Sequence, residues 1–291
     1  MKIAVGMIVF EGDYVLKNCL EQIYQYVDQI LIAEGPVKYW QELGVLTSRD
    51  DTNKILEEFP DPDNKIIVTH GQYTEKDEQC RAYMKYVRDD IDYIWNIDSD
   101  EVYDDSAIQQ IIKVLKNEQP TSVGIRSFSF YGGFNHYLTG FELNKDNFLR
   151  IFKYTPGSTW ETHRPPTIRY PENIDRKHID SEIMYYNHKV YMHHYSYVFP
   201  SQVEKKIGYY KECVSKDNCI DVYFNKIYIP WVRNPPGRLE LETYYQGVHE
   251  FKPQLRGPCF TEKWLGSHPY CISMDMFDHG TRFGKEIAQW T

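Results

Sequence analysis

Asp98 and Asp100 close an apolar run, Ile94-Trp95-Asn96-Ile97, and Glu101 follows them at once. In extended geometry residues two apart leave the same face, so the two aspartates point together. Two ionised carboxylates about 4 Å apart repel by roughly 4 kcal/mol at an effective dielectric near 20. A hard divalent cation with oxygen ligands relieves that repulsion, which nominates both aspartates as metal ligands. The alternative is that they cap the next helix. Asp104, Asp105 and Ser106 already stand ahead of Ile108, Ile111, Ile112 and Leu115, whose spacing predicts that helix.

The elements that must carry this pair form a repeating unit. Ile3 to Phe10 is a nearly continuous apolar run, the pattern of a strand buried on both faces. Tyr14 to Val27 predicts a helix with Leu16, Leu20, Ile23 and Val27 on one stripe. Ile30 to Ala33 reads as a second strand ending at Glu34-Gly35. A short helix around Ile55, Leu56 and Phe59, capped by Asp50 or Asp51, precedes a third strand at Ile66 to Val68. A further helix bears Cys80, Tyr83, Met84 and Val87, and the fourth strand is Tyr93 to Ile97. Strands alternating with helices imply right-handed crossovers and a parallel sheet. Ligands of such sheets bind beyond the carboxyl ends of the strands, which is where the aspartates fall.

Composition narrows the ligand. The chain has 291 residues, 42% of them hydrophobic, which suits one large domain or one domain with an elaborated second half. A net charge of −9 argues against nucleic acid as a partner. An anionic ligand on an acidic protein needs local neutralisation, which again favours a cation. The six cysteines, Cys219 among them, form no Cys-x-x-Cys pair and fit no zinc spacing. Cys19 and Cys80 fall on apolar helix stripes and read as core residues in a reducing compartment. No apolar run is long enough to span a bilayer and no leader precedes the first strand, so a soluble cytoplasmic protein is expected, peripheral membrane contact aside. There is neither a Gly-x-Gly-x-x-Gly after the first strand nor a Walker-type loop. A dehalogenase-type phosphatase would carry its aspartates after the first strand, not the fourth. What remains is a cation that bridges aspartates to a diphosphate.

At these residues the chain resembles GT-A fold nucleotide-sugar transferases, above all glycosyltransferase family 2. Tyr93 to Tyr103 is similar to that family's hydrophobic strand ending in Asp-x-Asp. Ile3 to Ile23 resembles its opening strand and helix. Ser48-Arg49-Asp50-Asp51-Thr52 resembles its Ser-x-Asp-x-Thr segment, and Lys76 to Met84, with Arg81, the segment before its fourth strand. The likeness covers about the first 115 residues. One departure is Ala33-Glu34-Gly35, where the family usually carries aspartates. The resemblance implies a Rossmann-like, mostly parallel α/β sheet flanked by helices, with residues 1–115 holding the donor. It implies residues 116–291 as an aromatic-rich acceptor and catalytic half, in one continuous domain with the first. It also implies Mn²⁺ or Mg²⁺ at Asp100, with Asp98 at the metal and the donor ribose and diphosphate. Glu34, Asp51 and Arg81 then lie near the nucleoside. A helix cap is the competing reading of Asp51, and a solvated helix face that of Arg81.

The second half is less regular. Val123 to Phe130 and Asn147 to Tyr154 read as strands. The segment Gly157 to His163 resembles the family's catalytic-base region and nominates Glu161, which would take the acceptor hydroxyl proton in an inverting transfer. The other reading pairs Glu161 with Arg164 or Arg169. Val190, Met192, His194, Ser196 and Val198 share one face of a predicted strand, with His193 on the other. By resemblance His194 is a further metal ligand; a lone strand histidine is otherwise structural. Ser201 to Glu204 matches a capping box before a helix with Val203, Ile207, Tyr210 and Val214. Phe128 to Phe141 and Tyr223 to Trp231 are aromatic segments suited to stacking on sugars, or to a core. The stretch with Trp264, His268 and Trp290 suits either a lid or packing on the sheet.

The expected activity is a metal-dependent transfer from a nucleoside-diphosphate sugar, UDP-linked by resemblance, to a glycan or other hydroxyl acceptor. Retaining transfer, nucleotidyl transfer and a catalytically degenerate glycan-binding protein on the same scaffold are the alternatives.

Overall fold

The opening apolar run forms strand β1 (Ile3–Val9), buried along almost its whole length. The computed structural model describes residues 1–140, 148–213, 222–248 and 259–290. Phe141, Asn147, Val214 and Cys219 of the segments above lie outside these ranges. Two compact units emerge: Met1–Arg126 with Asn147–Tyr191, and Ser127–Asp146 with Met192–Thr291.

In the first unit β1 is followed by α1 (Leu16–Tyr24), β2 (Gln29–Glu34), α2 (Lys38–Glu42), α3 (Thr52–Glu58), β3 (Ile66–His70), α4 (Lys76–Met84), β4 (Tyr93–Asn96), β5 (Glu101–Val102) and α5 (Asp105–Glu118). Strand β6 (Ser122–Tyr131) begins here and ends in the second unit, which also holds β7 (His136–Gly140). The chain returns as β8 (Phe148–Lys153), then β9 (Thr159–His163), β10 (Pro166–Arg169), β11 (His178–Ile179) and α6 (Ser181–His188). β1 lies between β2 and β4, parallel to both, and β3 extends the sheet beyond β2. β8 runs antiparallel to β4 and to the start of β6.

The helices bury most of the stripes their spacing foretold: Leu16, Cys19, Leu20 and Ile23 on α1, with Val27 buried beyond its end, and Ile108, Ile111 and Leu115 on α5, where Ala107 and Val114 join them and Ile112 is half-buried. Each large aliphatic among them contributes about 1.5–3 kcal/mol by leaving water. Helix α2 gave no sequence signal, because a five-residue helix with no buried side chain shows no stripe. Asp104 occupies the first cap of α5 without a side-chain bond, while Asp105 accepts from Gln22 Nε2 and Tyr26 Oη, each at 2.7 Å.

The second unit pairs the end of β6 with β7 and with β12 (Tyr191–Tyr197), and β7 with β13 (Cys259–Lys263). Helix α7 (Pro200–Cys213) buries Val203, Ile207 and Tyr210. It starts at Pro200, so Ser201 lies inside the first turn and not at a cap; proline's fixed φ suits that first position. Tyr223, Tyr228 and Trp231 are fully buried core residues and not a sugar-stacking surface. Each polar tip is satisfied: Tyr223 donates to the Val248 carbonyl, Tyr228 to the Val198 carbonyl and Trp231 to Glu242, all at 2.7 Å. Trp264 packs on Phe128 and Phe130, and Trp290 on Phe224, so this C-terminal stretch joins the same packing. Among the described residues no helix is long and apolar enough to cross a membrane.

Two glycines test how tightly the strand ends are drawn together. Gly35, at the end of β2, has φ +142°, and a Cβ there would sit 1.8 Å from the Gly71 carbonyl oxygen. Gly44 also has positive φ (+77°) but nothing within 4 Å. Gly44→Ala should therefore cost about 1–2 kcal/mol of backbone strain. Gly35→Ala should cost that and roughly 1–3 kcal/mol more from overlap. Urea unfolding midpoints measure the difference; equal losses would show that the ends of β2 and β3 separate freely.

Candidate functional site

Parallel pairing brings the carboxyl ends of the first three strands to one level, with Val9 beside Glu34 and Glu34 beside His70. Three backbone carbonyls there, of Val9, Ala33 and Gly35, accept from the buried Gln79 amide at 3.3, 2.8 and 3.3 Å. Glu34 is almost fully buried. Its Oε1 accepts from Ser48 Oγ at 2.7 Å, and its Oε2 lies 3.0 Å from His70 Nδ1. Ser48 Oγ in turn accepts from the Glu11 amide at 2.9 Å, and Thr52 Oγ1 from the Gly12 amide at 2.9 Å. The Ser48–Thr52 stretch is thus pinned to the ends of β1 and β2. Asp51 is exposed and occupies the cap position of α3 without capping it; Asp50 Oδ1 takes the Thr52 amide instead, at 3.1 Å. Glu11, in the left-handed region at φ 47°, has a buried carboxylate that meets Arg49 Nε at 2.7 Å.

Beyond β4 the chain turns through Asp98-Ser99-Asp100 into β5. A Cβ on Gly12 would lie 2.8 Å from Ser99 Oγ, so the end of β1 abuts this turn. Because β8 runs antiparallel to β4, with Ile151 level with Trp95, Arg150 stands where β4 gives out. Its Nη2 lies 3.2 Å from Asp98 Oδ2, and its Nε donates to Glu101 Oε1 and Oε2 at 3.0 and 2.9 Å. Nη2 also contacts Glu101 Oε1. The Glu101 side chain is fully buried, that of Arg150 6% exposed and that of Asp98 23% exposed. Burial opposes ionisation of Asp98, but the charge of Arg150 foremost, with Arg164, Lys76 and, at the acid pH where it is protonated, His163, outweighs it and holds the carboxyl well below the usual range. Burial likewise disfavours the Arg150 cation; Glu101 and Asp98 overcome that and keep the guanidinium charged. Asp100 is half-buried on the same turn.

Strand β9 does not alternate strictly, for its two buried residues are three apart and fall on opposite faces. Trp160 and His163 are buried, and Glu161 between them is exposed. The Glu161 carbonyl accepts from Arg81 Nη1 at 3.2 Å, while Arg81 Nη2 lies 3.7 Å from Glu75. Arg81 is thus tied to β9 and to Glu75 instead of lying free on its helix. Behind this strand Cys80 Sγ sits 3.7 Å from His163 Nδ1. Burial pushes the Cys80 thiol up to about 12 and the His163 imidazole down to about 3, so both are neutral near pH 7.

In the second unit His193 is fully buried, with Nε2 3.2 Å from the Ser267 carbonyl and its ring stacked on Phe130. His194 is half-buried, and its Nδ1 lies 3.3 Å from Ser129 Oγ. Among the described residues no three His, Cys, Asp or Glu side chains gather into a metal-holding cluster.

Of the expected residues, Asp98 and Asp100 share one turn, and Arg81 and Glu161 meet through a hydrogen bond. Glu34 and the segment bearing Asp51 meet through Ser48. Sequence reasoning passed over Arg150, His163 and the Glu11–Arg49 pair. The signal for Arg150 was present: one cation inside the apolar run Phe148-Leu149-Arg150-Ile151-Phe152 demands a buried anion.

The glycosyl transferase family 2 model matches residues 47–174, a stretch that contains Asp51, Arg81, Asp98, Asp100, Arg150 and Glu161. No curated protein matches. Among solved structures, S. aureus TarS 1–349 is similar at 11% identity and a TM-score of 0.36, over 53% of this chain and 47% of that one. TarS 1–349 in complex with UDP is similar at 10% identity and a TM-score of 0.41, over 84% and 78%. The chain spans about half the length of the first of these. The family match thus spans somewhat under half of this chain and takes in its acidic turn and its Glu161 strand.

Proposed function

We propose that this chain is an inverting glycosyltransferase that moves a sugar from a nucleoside-diphosphate donor, uridine-linked by family resemblance, to a hydroxyl of a glycan or other acceptor. The observation that carries the reading is the acidic turn after β4, which lies within the matched family segment at the strand edge where α/β proteins bind ligands. His70, exposed at the end of β3, supplies an imidazole for a nucleoside, and the buried Glu34 orients it through Oε2 while Oε1 fixes Ser48. Asp98, held by Arg150, accepts hydrogen bonds from the donor's ribose hydroxyls. Lys76 and Arg164, whose charges already act on Asp98, offset the negative charge of a diphosphate.

The donor set fits Mn²⁺ or Mg²⁺ in the mode where one or two carboxylates hold the ion and substrate phosphates complete its shell. Asp100 is the holding residue, with Asp98 supporting it. Such an ion, when bound, stabilises the charge that develops on the leaving diphosphate, a contribution of several kcal/mol. Glu161, exposed on β9, is placed to take the acceptor hydroxyl proton as the oxygen attacks the anomeric carbon.

Two substitutions separate these roles. Asp100→Ala should abolish Mn²⁺-dependent binding of UDP in calorimetry and leave the thermal transition in place, since the residue lies on a turn and not in the core. Unchanged affinity would remove the metal assignment. Glu161→Gln keeps shape and loses basicity, so UDP and Mn²⁺ should bind as before while turnover falls by about two to four orders of magnitude. Weakened binding with normal turnover at saturation would place Glu161 in recognition, and a product with retained anomeric configuration would end the inverting reading.

A further inference from the structure

Arg150 carries no role in the reading above except as Asp98's partner, yet it is among the most buried charges of the first unit. Its guanidinium serves two carboxylates at once. Nε takes both oxygens of Glu101, and Nη2 reaches Asp98 Oδ2 at 3.2 Å. Glu101 has no exposed surface and makes this contact from β5, so it fixes the fork and cannot itself reach a ligand. Asp98 differs: its side chain keeps 23% of its surface and its Oδ2 is pinned. The fork geometry matters, since a guanidinium presents several donors in one rigid plane and an ammonium is a single point of charge.

We propose that Arg150 is a positioning residue for the donor site, holding the Asp98 carboxylate at the orientation in which it meets the nucleotide sugar. The proposal rests on the donor reading above. Glu101 anchors Arg150, Arg150 anchors Asp98, and only Asp98 touches the ligand. The other groups around Asp98 do not duplicate this. Lys76 and Arg164 act on it through charge, Glu101 Oε2 lies 3.4 Å from its amide, and Cys19 reaches only its carbonyl, at 3.9 Å.

A double-mutant cycle on UDP affinity tests it, by calorimetry with and without Mn²⁺. Arg150→Lys keeps the charge and loses the fork, and it should raise the UDP dissociation constant about tenfold, as should Asp98→Asn. If Arg150 works through Asp98, the double variant should bind no more weakly than Asp98→Asn alone. With a donor sugar, the loss should appear in donor KM more than in kcat. A purely architectural arginine would give effects that multiply, and that outcome overturns the proposal, as does unchanged affinity of Arg150→Lys. Should Arg150→Lys fail to fold, Arg150→Gln with Glu101→Gln removes one buried charge of each sign and enters the same cycle with the same expectation. Wild-type protein that binds no UDP would instead defeat the donor reading and this inference with it; binding with a multiplicative cycle defeats this inference alone.

Discussion

A single buried guanidinium governs the chemistry-bearing edge of this fold. Moving a charge out of water costs several kcal/mol even after relaxation, and removing one member of a buried pair costs about 3–5 kcal/mol. Arg150 and Glu101 are both almost wholly buried, and the half-open Asp98 shares the same cation. Such clusters are poor sources of net stability, since apolar replacements of equal volume are often at least as stable. Stability therefore does not account for three charges at the end of β4. Geometry does: the arrangement fixes where one carboxylate points, on the turn that precedes β5.

That geometry depends on register. β1, β2 and β3 end level with one another, and β8, running against β4, brings Arg150 to the point where β4 stops. A slip of one residue in β8 would turn Arg150 to the opposite face of the sheet and an apolar neighbour toward Glu101. The same edge is stitched by Gln79, which bonds three carbonyls at the ends of β1 and β2, and by the close approach of Gly35 to Gly71. Ser48 and Thr52 then fasten a loop to the strands at Glu11, Gly12 and Glu34. The polar side chains of this edge are thus carried by strand ends and one pinned loop.

Elements with long apolar periodicity were legible in the sequence, and their ends came within a few residues: β1, β2, α1, α5 and α7 are the strongest cases. The acidic turn was legible too, because two carboxylates at the end of a buried strand conflict unless something compensates them. The compensator was not, for it lies some fifty residues away and only strand pairing brings it close. The aromatic segment Tyr223 to Trp231 shows the opposite limit. Its composition suited a sugar surface as well as a core, and only the burial of Tyr223, Tyr228 and Trp231 decides between them. The two adjacent histidines were separable by strand phase in principle. In the structure Met192, His193 and Tyr195 are all fully buried, so both faces of β12 are covered and alternation alone sorts little.

The neutral pair behind Asp98 completes the electrostatic picture. A histidine 3.7 Å from a cysteine suggests a thiolate nucleophile, but burial drives the two groups the other way, with Cys80 up to about 12 and His163 down to about 3. Thiolate formation would place a second anion near Asp98, which raises the Cys80 thiol further. His163 with its pKa lowered stays uncharged until the pH falls toward that value, so it adds no positive charge to the edge near neutrality. Asp98 has its pKa lowered, so its ionic contribution is complete above the ordinary carboxylate range and is lost only as the pH falls through its folded value. The permanent cation Arg150, and not a titrating histidine, therefore sets the charge balance of the acidic turn across the neutral range. An edge so balanced keeps the same pattern of charge and of hydrogen-bond acceptors wherever the pH lies between mildly acidic and mildly basic.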